Sequence, residues 1–301
     1  MQVQKRTIVL VAGVVVTAIL LASWAQPPRA FAQTASAAPQ TLPAFDHIFI
    51  IMEENHSYSQ IIGSGSAPFI KSLAHHYGDA TNYSSITHPS LPNYIALTGG
   101  STFGISSDCQ VVACPVNARN LMDNIEAVGK TWKAYLESMP APCTTTHSGE
   151  YAPRHNPFVY YDDIRTNSAR CASHVVPYTA LATDLQSAAT TPNFVWITPN
   201  QCDDMDACSV RKADQWLRSA FTQIYNSPAW TTQNSVIFVI WDEGARNHVP
   251  VLVVGPTVIP AFHSAVAYNH YSVLRTIEVA WGLPALTSND ANASVMLDFW
   301  R

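Results

Sequence analysis

Three clusters of acids and amides each stand directly behind an apolar run. Glu53-Glu54-Asn55 follows the run that starts at Phe45, Asn200 to Asp206 follows the run ending at Thr198, and Asp242-Glu243 follows the run ending at Trp241. If the runs are parallel strands, their carboxyl ends share one edge of the sheet, where open α/β sheets bind ligands. Carboxylates gathered there repel one another unless a cation sits between them. A divalent metal held by Glu54, Asn55, Asp242 and Glu243 is the economical expectation, and oxygen donors suit Ca²⁺, Mg²⁺ or Mn²⁺ better than Zn²⁺. Glu53 is expected to point away, because neighbours in a strand face opposite sides. The plainer alternative is that these acids are solvated or cap helices.

A second group of reactive types lies in Thr87-His88-Pro89-Ser90-Leu91-Pro92-Asn93-Tyr94, which runs on to Gly99-Gly100. Pro92 suits the first turn of a helix and Gly99-Gly100 its end, so a helix is predicted over Pro92 to Thr98 with Ser90 at its N-terminus. A hydroxyl there faces free backbone N–H groups and the positive end of the helix dipole, which favour an alkoxide and a bound phosphate. From this stretch alone, an ordinary capping serine is the better reading.

Positioning these groups falls to the elements around them. Phe45 to Met52, Asn193 to Thr198 and Ser235 to Trp241 lack strict alternation, as parallel strands covered on both faces do, and a fourth strand is expected at Val249 to Val254. Helices are predicted at Leu121 to Val128, Ser209 to Tyr225 and Ser272 to Trp281. The alternation implies an α/β sandwich around a mostly parallel sheet. Charged residues are only 12% of the chain and apolar ones 48%, which permits a large core. A net charge of -5 offers no basic footprint for nucleic acid.

Lys5, Arg6, the apolar stretch from Ile8 to Trp24 and the small residues Ala30 and Ala32 read as a secretory signal over residues 1–32, with a linker over 33–44 and one domain over 45–301. A retained anchor is the alternative, since the run approaches the about 18 residues needed to span a bilayer. Six cysteines follow that leader, and the ease of closing short loops favours Cys109 with Cys114, Cys143 with Cys171 and Cys202 with Cys208.

Six motifs in order, IFIIMEENHSY from Ile48, THPSLPNYIALTGG from Thr87, YAPRHNPF from Tyr151, the Cys202 to Val210 segment, WDEGARNHVP from Trp241 and HYSVLRTIEVAWGL from His270, resemble the bacterial phosphoesterase family. That family contains acid phosphatases and phospholipases C, and the chain is most similar to its short secreted, SapM-like acid phosphatases. The resemblance implies an alkaline-phosphatase-like three-layer α/β sandwich. It implies metal ligation by Glu54, Asn55, Asp242 and Glu243, nucleophilic attack by Ser90, and Asn93, His248 and His270 near the phosphate. His155 would contact the phosphate or serve as an acid. Relatives often carry Asn-Asp-Met-His-Asp-Cys where this chain reads Asp203-Asp204-Met205-Asp206-Ala207-Cys208. The histidine that could protonate the leaving group is thus replaced by Asp206, leaving Asp206 or His155 for that role.

The expectation is a secreted, monomeric, metal-dependent phosphatase that forms a phosphoserine on phosphomonoesters, taking a phosphorylated small molecule or phospholipid headgroup, with no stable membrane span after signal cleavage. A phospholipase C-type phosphodiesterase is the first alternative, although such relatives are usually longer. A binding protein that has lost catalysis is the second.

Overall fold

The computed structural model describes residues 41–301, together with Gln4. The expected leader, apart from Gln4, and most of the expected linker lie outside the described residues.

Ten strands occur in chain order: β1 (His47–Glu53), β2 (Gly78–Ala80), β3 (Tyr83–Ser84), β4 (Trp132–Leu136), β5 (Val175–Pro177), β6 (Phe194–Thr198), β7 (Ser235–Trp241), β8 (Val251–Val254), β9 (Phe262–Ser264) and β10 (Tyr268–Asn269). Eight form one sheet in the order β5-β4-β6-β1-β7-β8-β2-β9, and β3 pairs with β10 apart from it. Within the large sheet β8 alone runs against its neighbours. A short connection from β7 to β8 suffices because an antiparallel neighbour needs no crossover helix. Every residue of β1, β6 and β7 is buried, so helices cover the sheet on both faces. The Ser90–Gly99 helix packs on His270–Trp281, and Pro68–His76 packs on Val210–Tyr225. The expected three-layer α/β sandwich is the architecture observed.

β1 lies between β6 and β7, with Ile48 opposite Phe194 on one side and Val236 on the other. Apolar residues on both faces of all three strands form the centre of the core. β4 and β5 went unpredicted because Trp132–Leu136 carries Lys133 and Val175–Pro177 is only three residues long, so neither stands out as an apolar run.

The three disulfides are Cys109–Cys114, Cys143–Cys171 and Cys202–Cys208, as short-loop closure predicts. No helix among the described residues is long and apolar enough to cross a membrane.

Candidate active site

The loops leaving β1, β6 and β7 are tied together by their own backbone. The amide of Glu54 donates to the carbonyl of Asp204 at 2.9 Å, and that of Asp242 donates to the carbonyl of Glu53 at 3.0 Å. Gly244 lets the third loop pass close to the first, since a Cβ there would lie 2.8 Å from the backbone of His56. The three acidic clusters therefore meet at the carboxyl edge of the sheet.

Into that edge points the first residue of the Ser90–Gly99 helix. The helix begins two residues earlier than predicted, and Pro92 is tolerated in its first turn because no helical hydrogen bond is required of that nitrogen. Gly100, at φ 74°, closes the other end in the left-handed conformation. The Ser90 hydroxyl donates to Glu54 Oε2 at 2.9 Å and lies 3.3 Å from Glu243 Oε1. Glu243 in turn contacts His88 Nδ1, whose side chain is 53% exposed. Two buried carboxylates thus hold the serine hydroxyl in place at the start of the helix.

Beneath Ser90 lie Glu54, His155 and Asp204, all fully buried, with one ligand atom of each within 4.8 Å of the others. His155 Nε2 is 3.2 Å from Glu54 Oε1 and its Nδ1 is 3.2 Å from Asp204 Oδ2. Asp242 is close by: its Oδ1 accepts from the Asn55 amide at 3.1 Å. His155 Nε2, Asp204 Oδ2 and Asp242 Oδ2 are buried atoms without a hydrogen-bond partner. Burial, then repulsion from Asp242 and Asp204, pushes the Glu54 carboxyl well above the usual range. Burial likewise raises Asp204, and burial with Glu243 pushes Asp242 up to about 7. Burial, with the neighbouring Arg154 charge, lowers His155 to about 3, so its imidazole is neutral, as a ligand must be. Orphaned acceptors and crowded acids around a neutral imidazole fit a divalent cation, which would satisfy all of them together.

This group differs from the expected ligand set. Glu54 and Asp242 are in place, whereas His155, expected to touch phosphate or donate a proton, lies between two carboxylates. Asp204 was missed: it was one of several acids in Asn200 to Asp206, and only the Glu54–Asp204 backbone bond singles it out. Asn55 lies at the rim with φ 46°, its side-chain amide 3.3 Å from Glu54 Oε2 and 3.1 Å from Asp206 Oδ1. Tyr94, also missed, donates to Glu54 Oε1 and stacks on His155 with ring centroids 5.7 Å apart. Its position four residues after Ser90 was a usable signal, since one helix face carries both.

Several expected phosphate contacts have other occupations. Asn93 accepts from the amides of Ile86 and Thr87 and donates to the carbonyls of Thr87 and Pro89, so its amide is spent on shaping the loop before Ser90. His270 is fully buried, 2.7 Å from the Asp242 carbonyl through Nε2 and 3.0 Å from the Tyr83 hydroxyl through Nδ1. Both its ring nitrogens are thereby occupied, one of them on the Asp242 backbone. His248 lies 3.0 Å from the Thr81 carbonyl through Nε2 and stacks on Tyr58. Asp206 accepts from Arg154 Nη2 at 2.7 Å and from Asn55, so both its oxygens are engaged.

Residues 64–245 and 244–284 match the model of the Phosphoesterase family. The chain is 36% identical over 294 residues to a phosphatidylinositol-3-phosphatase of Mycobacterium tuberculosis, covering 95% of this chain and 92% of that one. It is 28% identical to a probable acid phosphatase of Kluyveromyces lactis, covering 84% of this chain and 62% of that protein's length. Among solved structures, a Vibrio parahaemolyticus protein of the alkaline phosphatase superfamily superposes with a TM-score of 0.58 at 15% identity, covering 85% of this chain and 72% of the other.

Proposed function

Because the chain belongs to the phosphoesterase family, we propose that it is a secreted, metal-dependent phosphatase that hydrolyses phosphomonoesters, phosphoinositide headgroups among them, through a phosphoserine at Ser90. The observation that carries this reading is the Ser90 hydroxyl, 2.9 Å from Glu54 Oε2, directly above buried His155, Asp204 and Asp242 atoms that have no partner. The relative from Mycobacterium tuberculosis supports a phosphoinositide as one substrate. Three disulfides favour an oxidising compartment.

Glu54, His155, Asp204 and Asp242 would hold the cation. Bound there, it would supply the positive charge that lowers the serine pKa and neutralises the phosphoryl oxygens. The imidazole in this set turns the preference among cations from Ca²⁺ or Mg²⁺ toward Mn²⁺ or Zn²⁺. Ser90 gives its proton to Glu243, 3.3 Å away, and attacks phosphorus in line as the alcohol departs. The helix N-terminus and Asn55 Nδ2 face the phosphoryl oxygens. His88, partly exposed against Glu243, protonates the departing alkoxide, a task for which Asp206 and His155 are both engaged elsewhere. Water then cleaves the phosphoserine, releasing orthophosphate and restoring Ser90.

The test is metal analysis of the purified protein together with turnover of a phosphomonoester panel before and after chelation. Quenching with acid during turnover should leave phosphate on the peptide carrying Ser90. Activity untouched by chelation, with no labelled peptide, would defeat the reading.

A further inference from the structure

A cavity of about 290 Å³, with Asp108 and Arg154 in its lining, is not used by the mechanism. Its inner wall is shared with the site. Arg154 Nη2 lies 2.7 Å from Asp206 Oδ2 while its Nε is 3.7 Å from Asp108 Oδ2. Asp108 Oδ1 accepts from the amide of Leu91, the residue next to Ser90. An alcohol leaving phosphorus at Ser90 therefore has this cavity at its side, and the volume is near that of small-ligand sites.

The lining says which alcohol. Gln110, Thr145 and Thr146 line the cavity, Gln110 and Thr146 exposed and Thr145 half-buried, so their polar groups are free to meet a ligand. Arg154 is flanked by two carboxylates, so the wall offers paired donors and acceptors and little net attraction for a second strong anion. Vicinal hydroxyls match such a wall, donating to Asp108 and accepting from Arg154, while Val112 and Pro153 give apolar surface to ring C–H groups. The walls are fixed in advance. Cys109–Cys114 closes one side, Tyr160 ties its hydroxyl to the Cys109 carbonyl at 2.8 Å, and Cys143, two residues before Thr145, is bridged to Cys171. Little ordering is then left for the ligand to induce.

We propose that this cavity is the leaving-group subsite and that it selects a polyhydroxylated alcohol, a sugar or cyclitol phosphate, over an aromatic one. The proposal rests on the phosphatase reading above. The test compares inositol 1-phosphate with p-nitrophenyl phosphate for the wild type and a Gln110→Leu/Thr145→Val/Thr146→Val variant. The variant should lose about tenfold or more in kcat/KM for inositol 1-phosphate, mainly through KM, and stay within about twofold for p-nitrophenyl phosphate. A parallel arm with vesicles containing phosphatidylinositol 3-phosphate tells whether the polyol arrives free or as a headgroup, and selective loss with either source supports the subsite. Equal losses on the polyol and aromatic substrates, or none, overturn it. Calorimetry on Ser90→Ala separates the two readings: inositol 1-phosphate binding more tightly than phenyl phosphate, and losing that advantage in the triple variant, supports the subsite even if the wild type turns over neither ester. Equal binding of both ligands overturns it.

Discussion

Two sets of buried polar residues lie around the same strand ends and behave oppositely. Asn93 and His270 have their hydrogen-bonding groups matched by backbone and side-chain partners. His155, Asp204 and Asp242 each leave a buried atom unmatched. An unmatched buried polar atom costs about 1–3 kcal/mol, so a fold retains several in one place only where something else satisfies them. Saturation thus marks scaffold, and collective want of partners marks the place for a ligand. Both sets are polar, buried and close to Ser90, so proximity alone would not have separated them.

The largest expected effect tests the nucleophile above the unmatched set. Ser90→Ala should lower kcat at least about a hundredfold while circular dichroism and bound metal stay near wild type, because no atom is left to attack phosphorus and one lost hydroxyl costs little stability. Residual turnover above a hundredth of wild type would move the chemistry to Thr87 or to water. Next, Asp204→Asn should lose most bound metal and, with it, activity by about tenfold or more. Full occupancy by elemental analysis would show that the unmatched atoms are not ligands.

A third outcome concerns pH. Asp242 is pushed up to about 7 in the absence of a cation. Between its unfolded value near 4 and that folded value, the folded protein holds the proton that the unfolded chain has given up, so stability falls as pH rises through this window. The chelated protein should therefore show a lower Tm at pH 7.5 than at pH 5. A divalent cation should reduce or reverse that fall, since it binds the ionised carboxylates. A chelated Tm that rises over this range would contradict the assignment.

The smallest effect is on the saturated set. Asn93→Leu removes several hydrogen bonds from the loop before Ser90 and should cost about 2–3 kcal/mol in urea unfolding, with unaltered metal content. If Asn93→Leu lost metal as Asp204→Asn does, the division between scaffold and ligand set would fail. His270→Phe offers an intermediate case: it leaves the carboxylates in place but frees the Asp242 carbonyl, so a weaker metal affinity with ligands intact is expected.

The pattern of residues determined the layers of this protein. Apolar runs at Phe45, Asn193 and Ser235 read as strands buried on both faces, and an acid behind each placed charge at one sheet edge. Cysteine spacing sufficed for the disulfides, because short loops close most readily. Motif order was enough for the family, and Pro92 with Gly99-Gly100 for Ser90 at a helix start. Tertiary structure alone chose among chemically equivalent candidates. Asp204 and Asp206 are two residues apart and both acidic, yet one faces His155 and the other Arg154. His155 and His270 are both buried and neutral, yet one sits between acids and the other holds a backbone carbonyl. Residue type fixes what a group can do, whereas its role depends on which partners long-range packing has already given it. Those partners lie far away in the chain.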